Sequence, residues 1–202
     1  MPTFKILAFS DLHLSARRAA ALVEASRDAD LVIGAGDFCN ARAGLDQAMQ
    51  MLSGISAPMV AVPGNAENDA ELRAAALPNM TVLHGQGAVV EGVRFFGFGG
   101  AVPETPFGDW SFDLSEATAE AALASCATAD VLVTHSPPKG AGDATSSGLS
   151  VGSLAIRDAV ERLQPQLAVF GHVHESWGFR GQIGTTTCAN LGPRPNWFEV
   201  TL

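Results

Sequence analysis

Basic residues are scarce in this 202-residue chain: 12 Lys and Arg stand against 21 Asp and Glu, for a net charge of -9. Such a balance repels polyanions and leaves no broad basic face for a duplex, so extended nucleic acid is not an expected partner. Charge of either sign is sparse, at 16% of residues against about 25% in an average domain, while 47% are hydrophobic, which disfavours long disorder. Cysteine is limited to Cys39, Cys126 and Cys188, an odd number without a C-x-x-C pair; buried thiols in a reducing, cytoplasmic compartment are expected. No run reaches 18 apolar residues, and Met1 to Asp11 has neither a basic n-region nor a cleavage site, so no membrane span or export signal is expected. Internal repeats, a heptad seam and low-complexity tracts are also missing.

At roughly 150 residues per domain, the expectation is one domain over residues 1–202. A chain of this length buries roughly 70% of its unfolded surface, enough for a core without disulfide or metal staples. A metal held here would therefore serve chemistry.

Short β-branched and aromatic runs alternate with Ala-rich stretches of helical length, the pattern of β-α-β units and an α/β fold. Strands are expected at Phe4 to Ser10, Leu31 to Ala35 and Met59 to Val62, and helices at Ser15 to Ala29, around Leu45 to Leu52, and at Asp69 to Ala76 with Asn68 or Asp69 as cap. Thr81 to Leu83, Ala88 to Glu91 and Val93 to Phe98 lie close together around Gly92 and read as an antiparallel insertion. Helix Ser115 to Ala127, strand Val131 to Thr134, helix Val151 to Leu163 and strand Leu167 to Phe170 restore the alternation, and Thr185 to Ala189 and Trp197 to Leu202 add two strands. Two Gly/Pro-rich segments, Ala101 to Asp113 and Pro137 to Ser150, are long enough to be functional loops and are lid candidates.

Residues with ligating atoms sit at the C-terminal ends of these strands, where open α/β sheets place their sites. Asp11 and His13 follow the first strand, Asp37 the second and Asn65 the third; His135 closes the Val131 strand, and His172 and His174 close the Leu167 strand. An i, i+2 pair on extended backbone puts both side chains on one side, so Asp11/His13 and His172/His174 are each expected to converge. Singly, each residue has an ordinary reading as a cap, a turn former or a structural histidine, the reading assigned to His84. Jointly, accidents would be needed at five successive strand ends. Oxygen and nitrogen donors without thiolate suit manganese first, with iron, zinc or nickel as alternatives, and seven ligands exceed the needs of one ion. Two ions about 3.5–4 Å apart can share a carboxylate and hold a bridging hydroxide aimed at phosphorus.

The ordered series D-x-H (Asp11, His13), G-D (Gly36, Asp37), G-N (Gly64, Asn65), T-H (Thr134, His135) and G-H-x-H (His172, His174) resembles the calcineurin-like metallophosphoesterase superfamily. The resemblance implies a four-layer α/β/β/α sandwich with two mixed sheets. It implies Asp11, His13 and His174 as terminal ligands of one ion, Asn65, His135 and His172 as ligands of the other, Asp37 as the bridge, and Asn65 also facing the phosphate. Asp37 and Asn65 are thereby the implied catalytic residues. The stretch His135-Ser136-Pro137-Pro138-Lys139-Gly140, then Asp143, then Gly171-His172-Val173-His174-Glu175 and Gly178, is similar to the metallophosphoesterase-domain proteins and their bacterial relatives, grouped with class III cyclic-nucleotide phosphodiesterases. That likeness implies a small phosphodiester substrate such as a cyclic nucleotide.

One departure stands out: the superfamily commonly reads G-N-H-[DE] where this chain has Gly64-Asn65-Ala66-Glu67. The histidine credited with transition-state stabilisation or leaving-group protonation is absent, and such assistance is worth about 10²–10⁴-fold. A slow enzyme, a preference for good leaving groups or strained cyclic diesters, or an acid supplied elsewhere would each follow. Two readings compete with a phosphodiesterase: a catalytically silent interaction module on the same fold, and a nuclease of the superfamily. Beyond the ligands, Asn40 and Arg42 are read as turn residues before substrate contacts. Lys139 and Asp143 are read as setters of a substrate loop, and Arg194 as a substrate contact or a surface ion pair. Trp110, Trp177 and Trp197 are read as core or loop anchors before a base-stacking wall, and Phe95, Phe96 and Phe98 as strand packing.

Overall fold

Along each central strand, adjacent residues enter different cores. In β1 (Thr3–Phe9), Ile6 and Ala8 join one apolar cluster while Leu7 and Phe9 join another. The same alternation divides β2 (Leu31–Gly34), where Leu31 and Ile33 part from Val32. A strand covered on both faces has no polar side to show, so these segments are continuous apolar runs in the sequence.

The computed structural model describes residues 3–201. After β1 and β2, separated by α1 (Ala16–Ala25), the chain runs through α2 (Leu45–Leu52), β3 (Met59–Ala61), α3 (Asp69–Ala75), β4 (Met80–Val82), β5 (Gln86–Val90) and β6 (Val93–Phe98). It continues with α4 (Glu116–Ala124), β7 (Val131–Thr134), α5 (Leu154–Leu163), β8 (Leu167–Phe170), β9 (Arg180–Ile183), β10 (Thr186–Asn190) and β11 (Asn196–Thr201). One sheet has the order β11-β1-β2-β3-β4 and the other β5-β6-β7-β8-β10-β9. Inner faces of both sheets meet in a shared cluster that includes Ile33, Val60, Phe95, Val133 and Val169. Leu22, Met49, Leu52 and Leu72 of α1 to α3 cover the outer face of the first sheet, and Leu123, Ile156 and Val160 of α4 and α5 cover that of the second. Four layers result, as the resemblance implies. Each fully buried large side chain contributes about 1.5–3 kcal/mol to holding them together.

The middle of the chain is not an antiparallel insertion. Strand β4 runs parallel to β3 and closes the edge of the first sheet; only β5 and β6 pair antiparallel, and β6 is itself parallel to β7. Three strands near each other in sequence are thus divided between two sheets. Glu91 and Gly92, at φ 50° and 83°, form the positive-φ turn that joins β5 to β6. Helix α5 starts three residues later than expected, because Ser153 accepts from the Ile156 amide as N-cap and leaves Val151 and Gly152 in the loop. Asn68, not Asp69, caps α3, in a reciprocal capping box with Glu71. Strand β9 was not expected: its sequence, Arg-Gly-Gln-Ile, has little apolar character, and pairing with β10 extends it. Leu202, placed in the last strand by the sequence, lies outside the described residues. Among those residues no helix is long and apolar enough to cross a membrane.

Candidate metal centre

The parallel strands β1, β2, β3, β7 and β8 end at one rim, three from the first sheet and two from the second. Backbone bonds hold those ends together: the Asp11 amide donates to the Gly36 carbonyl at 2.9 Å, and the His172 amide to Asp11 Oδ1 at 3.1 Å. All seven singled-out side chains lie at this rim, in two groups that share Asp37.

In the first group, Asp11, His13, Asp37 and His174 each bring one donor atom within 4.8 Å of the others. His13 Nε2 lies 3.5 Å from Asp37 Oδ2 and 3.3 Å from His174 Nε2, and His174 Nε2 lies 3.6 Å from Asp11 Oδ1. Ser10 Oγ and Trp177 Nε1 donate to Asp11 Oδ2 at 2.5 and 3.0 Å. Burial opposes ionisation of Asp11, but the His174 hydrogen bond, the His135 charge and the Ser10 hydroxyl hold it well below the usual carboxylate range. For His174 burial lowers the pKa, yet bonding and attraction to Asp11 leave it raised.

In the second group, Asn65 Oδ1 lies 3.0 Å from both His135 Nε2 and His172 Nδ1, and His135 Nε2 lies 3.4 Å from Asp37 Oδ1. Second contacts fix the orientations. His135 Nδ1 donates to the Ala35 carbonyl at 2.8 Å, and Asn65 Nδ2 donates to Ser111 Oγ at 2.9 Å, so Asn65 turns its carbonyl oxygen inward. His135 Nε2 is thereby turned to face two acceptor oxygens, Asn65 Oδ1 and Asp37 Oδ1. Burial, then the neighbouring His135, push His172 down to about 4, so His172 is uncharged near neutrality. Imidazole nitrogens that converge with amide and carboxylate oxygens in this way fit a cation. Oxygen and nitrogen donors without thiolate fit a first-row transition metal, and carbonyl groups behind the imidazoles are the usual outer support. The residues present thus fit the paired metal ions that the resemblance implies.

The local backbone departs from the extended geometry that the i, i+2 argument assumed. Asp11, His13, Asp37 and His172 have φ of 53°, 47°, 57° and 67°, in the left-handed region that costs about 1–3 kcal/mol per residue outside glycine. Asp11 and His13 do reach one group, but His172 and His174 separate: His172 turns to Asn65 and His174 to Asp11. Motif glycines serve close approach here. A Cβ on Gly64 would sit 2.1 Å from Asp37 Oδ1, and one on Gly171 would sit 2.5 Å from Asp11 Oδ2.

Glu67, whose role the sequence did not reveal, clamps the two loops behind Asp37. Its carboxylate accepts from the amides of Asp37, Phe38, Cys39 and Gly64. Burial and the Asp37 charge push it up to about 7. The Ala66 amide donates to Asp37 Oδ1 at 2.8 Å, while its methyl group offers no proton. Ser111, a second missed residue, donates to Asp113, which also accepts from Thr105, so the 101–113 loop is bonded to Asn65. A D/S/T-rich loop signals such bonding only in general.

The rim opens into a cavity of about 310 Å³ lined by His13, Asp37, Asn65, Phe107, Trp110, His172 and others. It shares Phe107, His172 and Glu175 with a larger one of about 520 Å³, walled by both lid-candidate segments, from Pro103 to Phe107 and at Lys139, Thr145 and Ser150. Phe107 and Trp110 stack nearly parallel, centroids 5.8 Å apart. Of the three tryptophans, only Trp110 lines this mouth; Trp177 anchors Asp11 and Trp197 lies under Lys5. Asn40 Oδ1 supports His13 Nδ1 at 3.1 Å, and Arg42 pairs with Glu71. Lys139 donates to the Ser150 carbonyl, and Asp143 accepts from the Gly140 and Gly152 amides, so both brace the second loop. His84 accepts from the Gly99 amide and stacks on Phe98, a structural role.

Fold and rim together are those of a calcineurin-like phosphoesterase superfamily domain. The family model for the calcineurin-like phosphoesterase superfamily domain matches residues 4–197, and the chain belongs to that superfamily. It is 35% identical over 133 residues to metallophosphoesterase domain-containing protein 1 of Homo sapiens, covering 63% of this chain and 38% of that one, so the chain spans well under half of the relative's length. Its fold is shared with TT1561 of Thermus thermophilus, at TM-score 0.75 and 16% identity over 98% of this chain and 99% of the other. A dimetal phosphatase from Danio rerio superposes at TM-score 0.64 and 14% identity, over 98% and 92%.

Proposed function

We propose that this chain is a dinuclear metal-dependent phosphodiesterase for small phosphodiesters such as cyclic nucleotides. The observation that carries the reading is the pair of donor groups joined by Asp37, whose two carboxylate oxygens face His13 and His135 respectively. Asp11, His13, Asp37 and His174 would hold one ion; Asn65, His135 and His172, again with Asp37, would hold the other. Manganese is the first choice for that donor set. Ions bound there would supply an activated water and would neutralise charge developing on phosphoryl oxygens.

The protein's own contribution is placement. Ser111 and Ala35 orient Asn65 and His135, Cys39 and Asn40 orient His13, and Trp177 and Ser10 fix Asp11. Asn65, at the cavity wall, is the residue that also meets the phosphate. Ala66 supplies no proton to a leaving group, which favours aryl and strained cyclic diesters over alkyl esters. Phe107, Val151 and Val173 in the larger cavity give the organic part of such an ester an apolar wall. The buried, unbridged cysteines support a reducing compartment, the cytoplasm.

A manganese-reconstituted screen of bis-aryl diesters, aryl monoesters and 2′,3′- and 3′,5′-cyclic nucleotides tests this. Diester cleavage that chelation abolishes and metal restores is expected, with Asp37→Ala losing both metal uptake and turnover. Faster monoester cleavage would overturn the diester preference, and unchanged turnover in Asp37→Ala the bridging role. Absence of both metal and hydrolysis would leave a silent interaction module.

A further inference from the structure

Almost every base in this acidic chain is engaged. Five arginines sit in ion pairs, Arg162 and Lys139 donate to backbone carbonyls, Arg180 bonds Asn196, and Lys5 lies over Trp197. Arg17, Arg18 and Arg194 are the arginines with neither a hydrogen-bonding nor an ion-pairing side-chain partner among the described residues; Arg18 lies over the Trp177 ring, as Lys5 lies over Trp197. All three line one cavity of about 380 Å³, together with Ala21, Trp177 and two prolines.

That lining offers an anion three positive side chains at once. The first turn of α1, which carries Arg17 and Arg18, holds no acidic residue to offset them. Arg194 faces them from a loop stiffened by Pro193 and Pro195, whose rings fix φ. Guanidinium forks match phosphate oxygens two at a time, which makes arginine the usual choice for that group. Trp177 joins the cavity to the candidate metal centre. Arg18 lies 5.6 Å from its ring centroid, while the same ring packs 4.3 Å from His174 and donates from Nε1 to Asp11.

We infer that Arg17, Arg18 and Arg194 form a phosphate-binding subsite next to the metal centre, which takes a second phosphate group carried by the substrate. The link to substrate rests on the phosphoesterase reading above; the phosphate site itself does not.

Two measurements separate these claims. In the first, chelator-treated full-length protein is titrated with inorganic phosphate while the Trp177 indole NMR signal is followed, assigned by its loss in Trp177→Phe. A saturable shift is expected, with affinity at least tenfold weaker in Arg17→Gln/Arg18→Gln/Arg194→Gln, whose fold is checked by circular dichroism and melting. Absence of a saturable shift, or equal affinity in the triple variant, overturns the site. In the second, metal-loaded protein is given the p-nitrophenyl 5′-ester of thymidine monophosphate with and without a 3′-phosphate. The ratio of kcat/KM values is expected to favour the 3′-phosphorylated form at least tenfold and to fall to about one in the triple variant. A ratio near one in wild type, with phosphate still binding, overturns the substrate link and leaves a site for free phosphate. Failure to cleave either ester removes the phosphoesterase reading, with the titration still deciding the site.

Discussion

Ser111→Ala isolates one bond that orients the candidate centre. Ser111 Oγ is the partner of Asn65 Nδ2 at 2.9 Å, and with that bond in place Asn65 Oδ1 faces His135 and His172. Removing the hydroxyl leaves the amide free to turn over and to present Nδ2 to the imidazoles, the wrong end for a cation. A hydrogen bond of this kind is worth about 0.5–1.5 kcal/mol net, which at 1.36 kcal/mol per decade is roughly 2- to 13-fold in the affinity of the Asn65 ion. Loss of outer partners of metal ligands costs about 10–100-fold, so the expectation centres near tenfold. The assay is the manganese concentration for half-maximal hydrolysis of a bis-aryl diester, for Ser111→Ala against Thr105→Val. The second variant loses the Thr105 hydroxyl bonds to Asp113 and to Ser111 but leaves the Asn65–Ser111 bond itself intact. A half-activation point within twofold of wild type for Ser111→Ala, or an equal shift for Thr105→Val, would refute the orienting role.

Three further expectations concern the frame around the site. Gly64→Ala forces a methyl group to 2.1 Å from Asp37 Oδ1 and 2.2 Å from the Asp37 nitrogen, so a stability loss of about 1–3 kcal/mol and severely weakened metal uptake should appear together in melting and elemental analysis. Phe170→Ala empties a fully buried site between β8 and the outer helices and should cost about 3–5 kcal/mol in urea unfolding; a loss under about 1 kcal/mol would show that the cluster collapses around it. Burial lowers the His84 pKa below its usual 6.5, so the unfolded chain binds more protons as pH falls. The His84 contribution is complete above about pH 6.5 and is lost below it, so His84→Asn should show a smaller melting-temperature drop between about pH 7 and pH 5; an identical pH dependence in both proteins would exclude His84 as the cause.

The sequence revealed the strands that carry the site because each is buried on both faces, so its whole length is apolar, and because the ligating residue types follow the last apolar position. It could not reveal sheet membership. Thr81 to Leu83 and Val93 to Phe98 are neighbours in sequence, but the helix between β3 and β4 returns the chain parallel in the first sheet while β6 starts the second. Alternation on an extended strand predicted convergence of Asp11 with His13, yet both residues are left-handed, and turn geometry rather than pleat brings them together. Ser111, Glu67 and Trp177 act on residues 46, 30 and 166 positions away, a pairing that no local pattern encodes. Of the three arginines without an ion pair, the sequence singled out Arg194 but not its convergence with Arg17 and Arg18: an unpaired charge is recognised only once every neighbour in space is known.

The rim where β1, β2 and β3 meet β7 and β8 has a mechanical consequence. His135 and His172 ride on one sheet while Asp11, Asp37 and Asn65 ride on the other, so sliding one sheet over its neighbour by a single ångström would stretch the 3.0 Å spacings at Asn65 before any strand lost a partner. The centre therefore works as a vernier on the packing between halves: disturbances deep in the middle layer, remote from the rim, are read out there first as altered donor spacings in a chain that is still folded.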